Sequence, residues 1–123
     1  MTHPTIWLPI LVVEDSRVVR YTILRLLTLH GLQTIDAQSA DEAQFVLQDH
    51  PVHAIVTDYH LGGAVTGVEL LMYARARQPS ALRILISGFP TEHMAEALSA
   101  GDVQHLLPKP FAAADLLSVL GIG

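Results

Sequence analysis

Short apolar runs alternate with amphipathic segments along the whole chain of 123 residues. The runs at residues 7–13, 54–58 and 83–87 are apolar almost throughout, which is typical of strands buried on both faces of a sheet. The runs at residues 32–37 and 105–108 are shorter, and the first of these has the polar alternation of an edge strand. The pattern therefore predicts five strands.

Helical spacing of apolar residues and helix-capping residues predict one helix after each strand. The five predicted helices cover residues 15–30, 40–49, 67–78, 92–100 and 112–120. Ser39 and Glu42 have the spacing of a capping box at the start of the second helix. Arg17, Arg20 and Arg25 are expected on the surface of the first helix. The helical stripes consist of Val19, Ile23, Leu26, Leu27, His30, Ala43, Val46, Leu47, Val68, Leu71, Met72, Arg75, Met94, Ala97 and Leu98.

This alternation predicts parallel strands with helices on both faces of the sheet. Right-handed crossovers then favour an α/β fold with a doubly wound sheet, formed by one domain over residues 1–123. Ligands of such sheets bind outside the carboxyl ends of the strands. Polar residues close or follow four of the predicted strands and should meet at one edge, namely Glu14, Asp15, Asp58, Ser87 and Lys109.

Three carboxylates brought together at this edge would repel each other, so they would share protons or bind a cation. Oxygen ligands without cysteine favour Mg²⁺, although capping of the first helix is an alternative role for Asp15. Asp58 could be a metal ligand, a cap, or a nucleophile that forms an aspartyl phosphate. That chemistry needs neutralisation of phosphoryl charge, which Mg²⁺, the ammonium of Lys109 and the hydroxyl of Ser87 could supply.

Composition argues against several other classes of function. The formal net charge is −5 and the basic residues are scattered, so we expect no binding of nucleic acid by this domain alone. No apolar run approaches the ~20 residues of a membrane span, and no signal-peptide pattern or cysteine is present. These features predict a soluble, cytoplasmic domain. His50 and His53 lie near each other but lack a third ligand, so surface histidines are favoured over a transition-metal site.

Four short segments stand at the ends of the predicted strands. They are VVEDS at residues 12–16, VTDYHL at 56–61, LISG at 85–88 and LPKPF at 107–111. In this order, and with the expected element between each, they resemble the receiver domain of two-component response regulators. The resemblance covers essentially the whole chain and implies the flavodoxin-like strand order 2-1-3-4-5.

The resemblance implies a phosphoacceptor with a magnesium site beside it. Asp58 would accept the phosphoryl group. Glu14 and Asp15 would hold Mg²⁺ together with Asp58 and the backbone carbonyl of His60. The implied cofactor is therefore Mg²⁺, and the chain would act as a phosphoprotein.

The resemblance also implies groups that contact the phosphoryl oxygens. Ser87 would bond one oxygen and Lys109 would pair with another. Gly88 would leave space for the phosphoryl group, and the peptide bond between Lys109 and Pro110 would be cis, as is usual in the family.

Two positions depart from the usual pattern of the family. Gly62 stands where a proline is common, four residues after the phosphoacceptor. The aromatic switch residue usually lies three residues before the lysine, a position that is Leu106 here. One extra residue between Gly101 and Lys109 leaves His105 as an alternative, but a slip by one residue would turn that side chain to the other face. We favour Leu106 inward.

The implied function is phosphorelay signal transduction. A histidine kinase or a histidine phosphotransfer protein would donate the phosphoryl group, and the face formed by helix 4, strand 5 and helix 5 would switch and offer a surface for a homodimer. The domain would support its own phosphotransfer and dephosphorylation without being an enzyme. A phosphorylation-independent pseudo-receiver is the alternative. A small phosphotransfer enzyme ranks last because His60 stands where such an enzyme has a second acid.

Overall fold

The computed structural model describes residues 8–122, in which strands and helices alternate. The strands are β1 Ile10–Val13, β2 Thr34–Ala37, β3 Ala54–Asp58, β4 Leu82–Ser87 and β5 His105–Pro108. The helices are α1 Arg17–Leu29, α2 Ala40–Asp49, α3 Gly67–Arg77, α4 Glu92–Ala100 and α5 Ala113–Val119. All strand pairs are parallel and their order is β2-β1-β3-β4-β5, so the predicted fold class and strand order are confirmed.

Helices cover both faces of the sheet. α2, α3 and α4 pack against a face that includes Leu11, Ile55 and Leu85. α1 and α5 pack against the other face, which includes Val12 and Ile84. Because successive strand residues point to opposite faces, the central strands need apolar residues at every position. This explains the near-continuous apolar runs in the sequence.

Several predicted boundaries coincide with the observed ones. The bounds of α2, β3, α4 and β5 are those expected from the sequence. β1 begins at Ile10, and Trp7, which was expected within this strand, lies outside the described residues. Between residues 8 and 122, no helix has the length and apolar character needed to cross a membrane.

The capping box predicted at the start of α2 is only half formed. Ser39 accepts a hydrogen bond from the N–H of Glu42, as expected. The carboxylate of Glu42, however, accepts a hydrogen bond from the N–H of Gln38 at 2.8 Å, one residue before the cap. Gln38 directly follows β2, so its N–H lies beyond the strand ladder and is available to the carboxylate. A complete capping box occurs instead at the start of α3, between Thr66 and Glu69.

Arg20 is buried, contrary to the expectation that it lies on the surface. Only 8% of the residue is exposed. Its Nη1 donates a hydrogen bond to the main-chain oxygen of Glu14 at 2.7 Å, and its Nε lies 3.2 Å from Oδ2 of Asp36. Nε makes no hydrogen bond among the described residues, so the charge of Arg20 is balanced by the ion pair with Asp36 and by the bond to the Glu14 carbonyl. A helical pattern alone does not show such partners.

Four members of the predicted helical stripes face solvent. Met72, Leu98, His30 and Arg75 are exposed. In α3 the buried face instead includes Leu70 and Ala74. The sequence of α3 is apolar around much of its circumference, so packing against the sheet selects the buried face.

β5 carries Leu106 and His105 on opposite faces. Leu106 is paired with Leu85 and packs against the apolar cluster under α2, α3 and α4. Leu107 belongs to the cluster on the other face, and strand alternation turns His105 to the same side as Leu107. The structure therefore agrees with the favoured interpretation, in which Leu106 is inward.

Candidate functional site

The predicted site residues converge at the carboxyl edge of the sheet. Glu14 and Asp15 directly follow β1, Asp58 ends β3, Ser87 ends β4 and Lys109 follows β5. Because β1, β3, β4 and β5 are successive neighbours in the sheet, residues that are far apart in sequence meet here.

Three carboxylates form a compact cluster at this edge. One carboxylate oxygen from each of Glu14, Asp15 and Asp58 lies within 4.8 Å of the others. Glu14 and Asp58 are 2% and 8% exposed, whereas Asp15 is exposed. Two buried acids and one solvent-facing acid leave the cluster open on one side.

One carboxylate oxygen of Glu14 accepts a hydrogen bond and the other does not. Oε1 accepts a hydrogen bond from the N–H of Ser16 at 3.1 Å, whereas buried Oε2 has no hydrogen-bond partner among the described residues. Burial raises the pKa of Glu14, and the charge of Asp58 raises it further; the N–H of Ser16 and the ammonium of Lys109 oppose the shift. A buried oxygen without a hydrogen bond, placed beside two other carboxylates, fits a small hard cation such as Mg²⁺.

Lys109 supplies the positive charge of the site. Its Nζ lies 3.2 Å from Oδ1 of Asp58 and 3.6 Å from Oε2 of Glu14. Asp58 Oδ1 also accepts a hydrogen bond from the N–H of Tyr59 at 2.9 Å. The peptide bond between Lys109 and Pro110 is cis, as the sequence resemblance implied.

Ser87 is at the expected strand end, but its hydroxyl is engaged elsewhere. Ser87 Oγ donates to the main-chain oxygen of Phe89 at 3.1 Å and accepts from the N–H of Phe89 at 3.2 Å. The residue is buried, and a hydroxyl has only one proton to donate. Binding a phosphoryl oxygen would therefore require Ser87 to release the carbonyl of Phe89.

His60 lies exposed in the loop after β3. Its neighbour Tyr59 donates to or accepts from Nδ1 of His93, with the phenol oxygen 3.1 Å from that nitrogen. This contact joins the loop after Asp58 to the first turn of α4. The two residues are 34 positions apart, and nothing in the sequence indicated that they would meet.

Gly67 is a site residue that sequence reasoning missed. A Cβ at this position would lie 2.2 Å from the main-chain oxygen of Asp58 and 2.9 Å from a side-chain carbon of Leu85. The N–H of Gly67 donates to the main-chain oxygen of Tyr59 at 2.8 Å. α3 therefore begins in direct contact with the backbone of Asp58. A glycine as the first residue of a helix, directly after the cap Thr66, was the available signal.

Gly62 explains one departure from the usual family pattern. Its φ is +77°, which lies in the left-handed region, and a proline is fixed near −65°. A Cβ at Gly62 would lie 3.4 Å from Oδ2 of Asp15, so the loop passes close to the acidic cluster. Proline is thus excluded by the path of this loop.

Comparison with known proteins agrees with the fold. Residues 10–121 match the response regulator receiver domain family. The chain is 34% identical over 113 residues to the hydrogenase transcriptional regulatory protein HoxA of Cupriavidus necator, which covers 90% of this chain and 23% of that protein. The chain thus belongs to the response regulator receiver domain family and functions in two-component phosphorelay signalling.

Two solved structures resemble this chain. A response regulator from Burkholderia pseudomallei, determined with a phosphorylated aspartic acid, a calcium ion and citrate, has a TM-score of 0.83 at 26% identity, covering 91% of this chain and 65% of that one. The receiver domain of a sensor histidine kinase from Pseudomonas aeruginosa PAO1, with magnesium coordinated in its active site cleft, has a TM-score of 0.79 at 25% identity, covering 92% and 93%.

Proposed function

We propose that Asp58 is the phosphoacceptor of this domain and receives its phosphoryl group from a histidine kinase or a histidine phosphotransfer protein. The observation that carries this proposal is the contact of 3.2 Å between Lys109 Nζ and Asp58 Oδ1 within a cluster of three carboxylates. A capping role would not require Asp58 to be placed beside two other acids and a lysine.

The chemistry is a transfer from nitrogen to oxygen. A carboxylate oxygen of Asp58 attacks the phosphorus of a phosphohistidine, a new P–O bond forms, and the P–N bond breaks as the leaving imidazole takes a proton. Oδ1 is held by Lys109 and by the N–H of Tyr59, which leaves Oδ2 as the attacking oxygen. Lys109 neutralises negative charge that develops on the phosphoryl oxygens.

We propose that Glu14, Asp15, Asp58 and the backbone carbonyl of His60 hold Mg²⁺. When bound, Mg²⁺ supplies positive charge between the carboxylates and the incoming phosphoryl group. Without such a charge, the acids would repel a phosphate dianion. Water attack on the acyl phosphate would restore the carboxylate and release inorganic phosphate, so the domain supports its own dephosphorylation.

The proposed switch begins at Ser87. Bonding to a phosphoryl oxygen removes its hydrogen bond to Phe89, which releases the loop that leads into α4. Leu106 packs against the apolar cluster that includes Met94 and Ala97 of α4, so a movement of α4 would change its packing. The α4–β5–α5 face then changes its affinity for partners, including a second copy of this chain. The size of this change is limited by the difference between the contacts that a partner makes in the two states.

An apolar groove beside the site supports docking of a protein donor. It has a volume of about 590 Å³ and is lined by α1 and by the segment after β5. Val18 is 76% exposed at its wall, while Lys109, which contacts Asp58, stands at its end. A donor helix in this groove would bring its phosphohistidine to Asp58. Such donors are charged by ATP-dependent kinases, so we place the domain in the cytoplasm.

The direct test is phosphorylation of the purified chain by acetyl phosphate and Mg²⁺, measured by intact mass and acid lability. We expect one phosphoryl group on the chain and none on Asp58→Asn. Asp49→Asn, a charge-matched change at the exposed end of α2, should accept phosphate as the unchanged chain does. A chain that takes no phosphoryl group from acetyl phosphate or from a panel of kinases would be a pseudo-receiver, an alternative that the intact site does not favour.

A further inference from the structure

We propose that Arg20 and Asp36 form a clamp that positions Glu14 for magnesium, an inference that rests on the proposed magnesium site. Arg20 donates a hydrogen bond to the main chain of Glu14 and forms an ion pair with Asp36, which lies outside the carboxylate cluster. It is therefore a positioning residue, which would act on the ion through Glu14.

The clamp ties the end of β1 to β2. Arg20 lies in α1, and its Nη1 donates to the main-chain oxygen of Glu14 at 2.7 Å in a buried setting. Its Nε lies 3.2 Å from Oδ2 of Asp36, which belongs to the edge strand β2. The arginine side chain is 10% exposed and the aspartate side chain 52%, so the pair spans the boundary between core and solvent.

Three hydrogen bonds hold Glu14, and none of them involves Oε2. Its N–H donates to the main-chain oxygen of Ala37 at 3.1 Å, its carbonyl accepts from Arg20, and its Oε1 accepts from the N–H of Ser16. Only Oε2 has no hydrogen bond among the described residues. Ala37 and Asp36 are neighbours in β2. β2 therefore holds the N–H of Glu14 directly and its carbonyl indirectly, through the ion pair of Asp36 with Arg20.

Loss of the guanidinium would leave the buried carbonyl of Glu14 without its donor. A buried polar group without a partner is costly, and the chain would shift or admit water to satisfy it. Either response moves Glu14 relative to Asp15 and Asp58. Groups that orient metal ligands typically change metal affinity by 10–100-fold when they are removed.

The test is ion binding, measured without any phosphorylation. Electron paramagnetic resonance counts free Mn²⁺, a hard octahedral stand-in for Mg²⁺, and gives its Kd directly. We expect Arg20→Met to weaken binding about tenfold. Arg25→Met is the matched control, because it removes the same charge from an exposed position of the same helix, and its Kd should stay within about twofold of the unchanged chain.

Phosphorylation provides a second and independent readout. The clamp does not contact the phosphoryl group, so saturating Mg²⁺ should restore the rate of Arg20→Met with acetyl phosphate, and only the Mg²⁺ concentration at half-maximal rate should rise. A rate that stays low at saturating Mg²⁺ would contradict the clamp as a positioning device. An equal Kd in folded Arg20→Met and Arg25→Met would also overturn it.

Asp36→Asn keeps the proposal testable if Arg20→Met fails to fold. Asp36 is half exposed, so its change spares the core, and we expect about threefold weaker Mn²⁺ binding. Asp41→Asn, an exposed neighbour on α2, is its control, and equal Kd values for these two variants would exclude the clamp. A failure of the unchanged chain to bind Mn²⁺ would overturn the magnesium site itself. Equal Kd values in the variants and their controls, with Mn²⁺ still bound by the unchanged chain, would overturn the clamp alone.

Discussion

Glu14 is the residue in which burial and charge conflict most directly. Its carboxylate is buried, one oxygen has no hydrogen bond among the described residues, and Asp58 lies beside it. Burial, followed by the charge of Asp58, raises the pKa of Glu14 despite the nearby ammonium of Lys109. The environment of Glu14 therefore destabilises its charged form, and a bound cation would offset that cost.

Glu14→Gln should stabilise the fold at neutral pH and weaken ion binding. Because the pKa is raised in the folded state, the folded chain holds a proton that the unfolded chain has already released. The free energy of unfolding thus falls as pH rises from the ordinary pKa of glutamate through the raised value. Removing the charge should restore about 1 kcal/mol at neutral pH.

Urea unfolding across a pH series measures this effect. The difference in free energy of unfolding between Glu14→Gln and the unchanged chain should grow with pH through this window and then level off. Glu96→Gln, at an exposed position of α4, is the control and should show no such slope. A Glu14→Gln chain that is less stable at neutral pH would contradict the prediction.

Gly67→Ala should damage both the fold and the site. The added Cβ would lie 2.2 Å from the main-chain oxygen of Asp58, and neither backbone segment can move without disturbing its element. Overpacking of this kind costs about 1–3 kcal/mol, and phosphorylation by acetyl phosphate should slow as Asp58 shifts. Gly63→Ala, whose Cβ meets nothing within 4 Å, should leave the melting temperature and the rate nearly unchanged.

At the scale of elements, hydrogen bonds from β4 hold the segment between α4 and β5, where the chain has one residue more than the usual spacing of the family. Arg83, at the start of β4, donates to the main-chain oxygens of Asp102 and Gly101, at 3.0 Å each. The amide oxygen of Gln104 accepts from the N–H of Arg83, and the N–H of Gln104 donates to the carbonyl of Arg83. These bonds hold the loop before β5 begins, and β5 pairs Leu106 with Leu85, which places Leu106 inward.

Val18→Glu on α1 should separate protein donors from small donors. The exposed valine lines the apolar groove that ends at Lys109, and a carboxylate there would be poorly desolvated beneath a donor helix. We expect phosphotransfer from a cognate kinase to fall at least tenfold. Phosphorylation by acetyl phosphate should stay unchanged, because Val18 is exposed and is not a member of the carboxylate cluster.

The control for this prediction lies on the same helix. Leu29 is 71% exposed and does not line the groove, so Leu29→Glu should preserve both reactions. An equal loss with both donors in Val18→Glu would show damage to the site, and no loss with either would show that the donor docks elsewhere.

At the scale of the whole molecule, the phosphorylation site and the α4–β5–α5 face are joined through few groups. Ser87 holds the loop after β4, Tyr59 contacts His93 on α4, and Leu106 packs beneath the same layer. Phosphate on Asp58, as proposed above, would act directly on Ser87. The chain spans 23% of the length of HoxA.

Beryllofluoride with Mg²⁺ should shift this whole layer as phosphate would. We expect changes in the amide NMR signals of Ser87, Phe89 and Leu106, and of residues in α4, because the serine must exchange its carbonyl partner for the bound group. Asp58→Asn is the control and should show no change. If only the NMR signals of the carboxylate cluster changed, the chain would bind beryllofluoride without a change in the α4–β5–α5 face.

Sequence reasoning predicted the elements and the edge at which the site lies, but it did not predict contacts between elements. Asp58, Lys109 and the two acids after β1 were predictable because strand ends in a parallel sheet must meet. The burial of Arg20 was missed because its partners, the carbonyl of Glu14 and the side chain of Asp36, become neighbours only after folding. Met72 and Leu98 were placed inward because helical period alone cannot choose between adjoining apolar faces.

The sequence by itself determined the alternation of strands and helices and the chemistry of the site, because period and residue type are local properties of the chain. The tertiary structure decided the rest. It turned Leu106 inward, directed Ser87 towards Phe89 and brought Gly67 against the backbone of Asp58. These outcomes depend on distances between elements, which are set when two helical layers pack on one sheet, and no single segment carries that information.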